Sequence, residues 1–153
     1  MKILHVNTGD HLIANEAIFQ AGPVGAGLIT CLFDNVKKSG AICYTLFITP
    51  RKDTSKVGLH LSKSLPLLIQ QMMANGSTIK NIVAKVCGGA QILEPPPLLN
   101  WAETFIDHIN ELFKNNNILS AGCDLGGHAS RRVEFNTQTG QVLIKSGLSE
   151  IVL

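Results

Sequence analysis

Two apolar runs joined by a short polar turn limit the folds open to this chain more than any other feature. The first run is LITCLFD, residues 28–34, the second is AICYTLFIT, residues 41–49, and NVKKSG lies between them. Short apolar runs containing β-branched residues are typical of buried strands. A polar turn that ends in glycine is suited to joining two neighbouring strands. The sequence therefore predicts a buried hairpin, with Pro50 ending its second strand.

Further strands are predicted on both sides of this hairpin. KILHV, residues 2–6, reads as a first strand, and residues 11–20 read as extended. NIVAKVCGGA, residues 81–90, is a strand that runs into a double-glycine turn, and ILSAG, residues 118–122, is a short strand. CDLGGHAS, residues 123–130, reads as a loop, and RRVEFNTQTGQVLIK alternates apolar and polar residues on both sides of a turn, as a hairpin does.

Two helices are also predicted. Residues 51–57 read as a polar loop, after which a helix runs to about Ala74, with one apolar face formed by Leu61, Leu65, Leu68, Ile69 and Met72. Pro66 falls inside that helix, and an interior proline costs roughly 3 kcal/mol, so the helix either begins near Leu65 or kinks there. EPPPLL, residues 94–99, cannot be helical, and Asn100 is a plausible N-cap. The second helix, 101–114, points five side chains inward: Trp101, Phe105, Ile109, Leu112 and Phe113.

Composition excludes several classes of protein. The 153 residues suit one domain spanning 1–153, with 45% apolar and 16% charged residues. A net charge of +2, with basic residues in isolated pairs, argues against nucleic-acid binding. We see no signal peptide and no apolar run of the roughly 20 residues that a membrane span needs. We therefore expect a cytoplasmic protein. Its four widely spaced cysteines should be free thiols, with neither a metal nor a cofactor.

The stretch AGPVGAGLITC, residues 21–31, is crowded with glycines and ends in a cysteine. It is not a phosphate-binding loop, because no Gly-Lys-Ser or Gly-Lys-Thr follows, and it opens a strand where a dinucleotide fingerprint would open a helix. A turn that needs glycine is the simpler interpretation. Cys31 lies in the middle of the apolar strand, so a buried core thiol is favoured over a nucleophile.

Polar residues elsewhere are weaker candidates for a site. His60 stands before the first long helix and is either a general base or a polar residue on the surface, and no histidines show metal-ligand spacing. Asp124 precedes two glycines, where an aspartate usually holds a turn, and Arg131 is a candidate partner that would pin the loop to the hairpin.

Four segments together resemble the CheD-type chemoreceptor glutamine deamidases. DLGGHASRRVEFNTQTGQVLI, from Asp124 to Ile144, is similar to the C-terminal signature of that family. AKVCGGA, LPLLIQQM and CLFDNVKKSGAI resemble its Gly-Gly-Ala strand, its proline-containing helix and its central hairpin. The order and spacing agree over roughly residues 20–146. Gly88, Gly89, Asp124, Gly126, Gly127 and Arg131 take structural positions in this pattern.

The resemblance implies a fold and a chemistry. The fold is an α+β, α/β/β/α sandwich of mixed β-sheets with helices outside, shared with other cysteine deamidases. The chemistry is hydrolysis of a glutamine side-chain amide on receptor proteins, in which a thiolate attacks, a histidine shuttles the proton and a threonine supports them. The family also binds a phosphatase of the chemotaxis response regulator.

The positions that carry this chemistry hold other residues in this sequence. Carried over by resemblance, the nucleophile falls on Gly27, the histidine on Tyr44 and the threonine on Ala21. The tyrosine at the start of the long helix falls on His60, and the Gly-x-Arg-Asn before the second helix falls on residues 102–105. Cys31 reaches the nucleophile position only by a four-residue slip that breaks the match at Asp34 and Gly40.

Three hypotheses follow. The preferred one is a protein without catalysis that binds a chemoreceptor or chemotaxis phosphatase through the surface around Gly27, Tyr44 and His60, where Gly27 leaves room for a partner side chain. The second is an active deamidase that uses Cys31 or Cys43 with His60. The third is a different enzymatic site built on Asp124, His128 and Arg131. Oligomeric state is left open.

Overall fold

The computed structural model describes residues 1–49, 56–91 and 101–153, the last range without the side chains of 101–105. These residues form ten strands and two α-helices. The strands are β1 Lys2–Val6, β2 His11–Asn15, β3 Ala17–Val24, β4 Leu28–Asp34, β5 Ser39–Thr45, β6 Ile82–Gly88, β7 Leu119–Leu125, β8 Arg131–Asn136, β9 Val142–Ser146 and β10 Ser149–Val152. The helices are α1 Leu61–Ala74 and α2 Trp101–Asn115, and short 3-10 turns cover Val57–Leu59 and Ile79–Asn81.

The strands form two five-stranded sheets. We call β1-β3-β8-β9-β10 the outer sheet and β2-β5-β4-β6-β7 the middle sheet. The predicted hairpin of β4 and β5 is at the centre of the middle sheet, with Leu28 opposite Thr45 and Asp34 opposite Ser39. One pair in each sheet is parallel, β1 with β3 and β6 with β7, so both sheets are mixed.

Alternation along β4 gives the molecule two cores. Leu28 and Leu32 face the helices, where they form one core with Leu65 and Leu68 of α1 and Ile109 of α2. Ile29, Cys31 and Phe33 face the outer sheet. All seven residues of β4 and all seven of β5 are buried, because the middle sheet is covered on both faces.

These observations confirm an α+β sandwich of two mixed sheets and two helices. Both helices pack on the middle sheet, so the described part of the chain is layered as helices, middle sheet and outer sheet. The expected helix layer on the outer sheet is not found among the described residues.

Several element boundaries differ from the predictions. The helix α1 begins at Leu61 and continues through Pro66, so the alternative of a start near Leu65 is wrong. Its first two amides donate to the carbonyls of Phe47 and Ile48, which fixes where the helix starts. The predicted strand 41–49 ends at Thr45 because the following residues turn to bond with this helix start.

The sequence predictions miss the division of residues 11–20 between two strands, the end of β7 and the whole of β10. Residues 11–20 contain β2 and the start of β3, separated at Glu16, which has a φ of 52°. The sequence predicts a loop for Cys123 to Leu125. In the structure these residues extend β7, because they pair with Val86 to Gly88. The predictions for Pro50, for 51–55, for EPPPLL and for Asn100, and the inward orientation of Trp101 and Phe105, lie outside the described residues.

Candidate functional site

The glycine-rich stretch forms a turn between β3 and β4. Pairing of β3 with β8 is interrupted between Ala21 and Val24, where the Gly22–Pro23 peptide bond is cis. Beyond this point the carbonyls of Gly25 and Gly27 accept hydrogen bonds from the amides of Ala90 (3.0 Å) and Gly89 (2.8 Å). The turn therefore lies against the double glycine that ends β6, and we call residues 22–27 the site turn.

Gly27, which the family resemblance places at the nucleophile position, has no space for a side chain. A Cβ added to this residue would lie 2.8 Å from the backbone oxygen of Thr45 and 3.4 Å from Cε2 of Tyr44. Real Cβ atoms do not come that close to a carbonyl oxygen, so a side chain here requires the backbone to shift. The expectation that Gly27 leaves room for a partner side chain is therefore wrong in the Cβ direction, because Thr45 and Tyr44 fill that space.

Tyr44, which the resemblance places at the histidine position, is 9% exposed and lies between the two sheets. Its hydroxyl donates a hydrogen bond of 3.2 Å to the carbonyl of Pro23 in the site turn. Ala21, at the threonine position, is buried in the same core. Through its hydrogen bond to Pro23, Tyr44 holds the site turn against β5.

Three of the four cysteines are buried, and Cys123 is exposed. Desolvation raises the pKa of Cys31 well above its usual range, and the nearby Cys87 and Cys43 add to that effect. Burial also raises the pKa of Cys43 and of Cys87 to about 12. Because the thiolate is the nucleophile, these three thiols are unreactive in the folded protein at neutral pH.

His60 is 2% exposed and caps the start of α1, where its carbonyl accepts the amides of Lys63 and Ser64. Its ring stacks on Phe47, with the ring centroids 6.0 Å apart. The structure thus brings Gly27 and Tyr44 into contact and places His60 in a packed position beside Phe47. All three residues are buried, so a partner would touch the exposed residues above them.

Arg131 ties together the loops around the site turn. Its Nε donates to Asp124 Oδ2 at 2.8 Å, so the expected ion pair is present. Its Nη1 and Nη2 donate to the carbonyls of Gly88 (3.2 Å) and Gly126 (2.8 Å). A single guanidinium therefore joins the ends of β6 and β7 to the start of β8.

His128 stands apart from this ion pair. It is exposed, and its Nδ1 lies 3.1 Å from the carbonyl oxygen of Gln91. The carboxylate of Asp124 is paired with Arg131. The third hypothesis, a site on Asp124, His128 and Arg131, therefore has no carboxylate that is not already in an ion pair. Among the described residues, no group of three or more histidine, cysteine, aspartate or glutamate side chains is placed to hold a metal ion.

The sequence predictions missed the exposed residues in the site turn and beside it. Pro23 and Ala26 are exposed, and Leu46, which is 43% exposed, has its Cδ2 3.4 Å from the position of a Cβ on Gly27. The Gly-Pro dipeptide was an available signal for a special turn, but nothing local in the sequence singles out Leu46. We call Pro23, Ala26 and Leu46 the site rim.

Comparison with known proteins identifies the family. A sequence model described as CheD chemotactic sensory transduction matches residues 48–146, which is more than half of the chain. The chain belongs to the CheD family. The matched range of this CheD-family protein begins after Gly27 and Tyr44, so it leaves out the hairpin and the site turn.

Individual CheD relatives match over nearly the whole chain. The chemoreceptor glutamine deamidase CheD of Thermotoga maritima is 23% identical over 92% of this chain and 89% of its own length. A probable chemoreceptor glutamine deamidase CheD of Syntrophus aciditrophicus is 26% identical over 92% of each chain. One from Syntrophomonas wolfei is 26% identical over 95% of this chain and 94% of its own. In the CheD-family protein described here, no helix within the described ranges has the length and apolarity of a membrane span.

Proposed function

We propose that this CheD-family protein lacks deamidase activity and works by binding a protein partner in chemotaxis-type signalling. The observation that carries the proposal is the nucleophile position, where Gly27 has neither a thiol nor the space for one. Loss of a catalytic nucleophile lowers kcat by about 10⁶. The proposal includes a cytoplasmic location, because the relatives are named for action on chemoreceptors.

The tyrosine and the cysteines support the same conclusion. Tyr44 bonds the carbonyl of Pro23 and so closes the turn that would carry the nucleophile. An active deamidase that uses Cys31 or Cys43 is disfavoured, because both thiols are buried with raised pKa values and His60 is packed against Phe47.

The partner surface that we propose is the site rim beside Gly27 and Tyr44. Leu46 exposes an apolar side chain there, beside Pro23 and Ala26 of the site turn. By resemblance, the partner is either a chemoreceptor or a chemotaxis phosphatase. A protein that retains the family's docking face without its chemistry would occupy such a partner without modifying it.

Activity is tested by incubating a chemoreceptor signalling fragment with this protein and measuring ammonia release and deamidated glutamines by mass spectrometry. The Thermotoga maritima deamidase serves as the positive control. We expect no deamidation above the background of the buffer. Turnover that disappears in Cys31→Ala would overturn the proposal in favour of the displaced thiol.

Binding is tested by measuring affinity for the receptor fragment and for the phosphatase. We expect Leu46→Glu to weaken the complex at least tenfold, since it buries a charge in the interface. The matched control is Met73→Glu, which changes a side chain that is 47% exposed on α1. Equal effects of the two variants, or no complex with either partner, would refute the proposed surface.

A further inference from the structure

The face of the outer sheet that points away from the middle sheet contains a cavity, which shares Gly22 with the site turn but includes no residue of the site rim. It is about 300 Å³ in volume and is lined by His5, Gln20, Ala21, Gly22, Arg132, Val133, Glu134 and Lys145. The registers place His5 opposite Gln20, Gln20 opposite Glu134, and Arg132 opposite Lys145, so these polar side chains share one face of the sheet.

The cavity exists because β3 supplies no side chain opposite Arg132. Ala21 pairs with Val133 and Val24 pairs with Arg131, so Arg132 faces the interruption at Gly22–Pro23. Gly22 has a φ of 106°, and a Cβ on it would lie 2.6 Å from the backbone oxygen of Arg131. No side chain can therefore fill the gap from this strand.

Positive charge dominates the lining. Arg132 and Lys145 are exposed cations, His5 is exposed, and Glu134 is the one acid in the lining. Glu134 lies 3.6 Å from Lys145, so its charge is shared with that lysine. The Arg132 guanidinium has no ion pair or hydrogen bond to any described residue, and it stands at the mouth of the gap with its donors available.

We propose that this cavity binds a small phosphate-bearing molecule through its phosphate oxygens. A guanidinium fork matches two oxygens of a phosphate, and Lys145 and the side-chain amide of Gln20 are placed to donate to the others. Two permanent cations and a histidine against one acid favour a dianion over a singly charged carboxylate. The volume suits a small ligand, since it lies at the lower end of known ligand sites.

The test is an amide NMR titration of the full chain with inorganic phosphate at constant ionic strength. We expect saturable shifts at Gln20, Gly22 and Arg132 to Glu134. Arg132→Gln should weaken phosphate binding roughly tenfold or more, because it removes charge-assisted hydrogen bonds. The matched control, Lys114→Gln on the distant helix α2, should leave the affinity unchanged.

Three results would overturn the proposal. They are shifts that do not saturate, shifts scattered over the surface lysines, and equal weakening by Arg132→Gln and Lys114→Gln. An acetate titration tests the preference for a dianion, and acetate binding as tight as phosphate binding would refute it. Arg132 is exposed, so its variant should keep the native NMR spectrum away from the cavity.

Discussion

At the scale of single residues, the site turn is closed by contacts that depend on one another. Gly27 lets the backbone approach the Thr45 carbonyl, and the neighbouring Tyr44 ring lies beside it while its hydroxyl bonds to Pro23. A larger residue at position 27 would separate these groups. The glycine at position 27 and the packing of the tyrosine are therefore parts of one closed turn.

Gly27→Ala should destabilise the protein by about 1–3 kcal/mol, because the new Cβ overpacks against a backbone oxygen 2.8 Å away. Urea unfolding followed by circular dichroism measures this. The exposed neighbour gives the control, since Ala26→Ser should change the free energy of unfolding by less than about 0.5 kcal/mol. A Gly27→Ala variant as stable as the parent would show that the turn has slack.

Thiol reactivity should separate Cys123 from the other three cysteines. In the native protein at pH 8, a disulfide reagent should label one thiol quickly, because the remaining thiols are buried and their raised pKa values keep them protonated. Unfolding in guanidinium chloride should expose all four. Cys123→Ser should remove the fast phase, and fast labelling of Cys31 would contradict the buried position.

At the scale of elements, Arg131 supplies side-chain contacts to the two double-glycine turns that follow β6 and β7, because glycine cannot supply its own. Residues Gly88–Gly89 and Gly126–Gly127 have no side chains, and all four have positive φ values. The guanidinium bonds the carbonyls of Gly88 and Gly126, and Asp124 balances its charge. Together these contacts hold the ends of three strands beneath the site turn.

Arg131→Ala should lower the free energy of unfolding by roughly 2–4 kcal/mol, since it leaves the Asp124 carboxylate without its ion-pair partner and removes one donor each from the carbonyls of Gly88 and Gly126. Arg131→Lys should lie between this variant and the parent, because it keeps the charge and loses the fork. Urea unfolding measures both. If lysine were as good as arginine, the two carbonyl contacts would contribute nothing.

At the scale of the whole molecule, the middle sheet is a wall shared by two cores. Helix residues such as Leu68 pack on one of its faces, and Phe135 of the outer sheet packs on the other, edge-on to Phe33 with ring centroids 6.5 Å apart. Neither covering layer has an apolar core without this wall. We infer that the helices and both sheets unfold together.

Leu68→Ala and Phe135→Leu should therefore shift one common transition. The first should cost about 2–5 kcal/mol from the cavity it leaves, and the second a smaller amount. Far-ultraviolet circular dichroism and the NMR signals of the outer sheet should give coincident curves for each variant. If the helices of the Leu68→Ala variant unfolded at a lower denaturant concentration than the outer sheet, the two cores would be independent.

The sequence by itself determined most of the elements and the family. The β4–β5 hairpin follows from two apolar runs and the turn between them, the helix α1 from the spacing of its apolar residues, and the hairpin of β8 and β9 from alternating apolar and polar residues. The four family segments indicated the family, and a carry-over without gaps from CLFD and SGAI predicts the nucleophile position at Gly27. These features depend on neighbours along the chain, so a linear pattern carries them.

Only the tertiary structure decided what surrounds those residues. The parallel pairing of β1 with β3, the placement of both helices on one sheet and the extension of β7 depend on distant segments. The same is true of the Thr45 oxygen beside Gly27, the three contacts of Arg131 and the gap opposite Arg132. Long-range contacts set these environments, and a linear pattern records the residues without recording which of them meet.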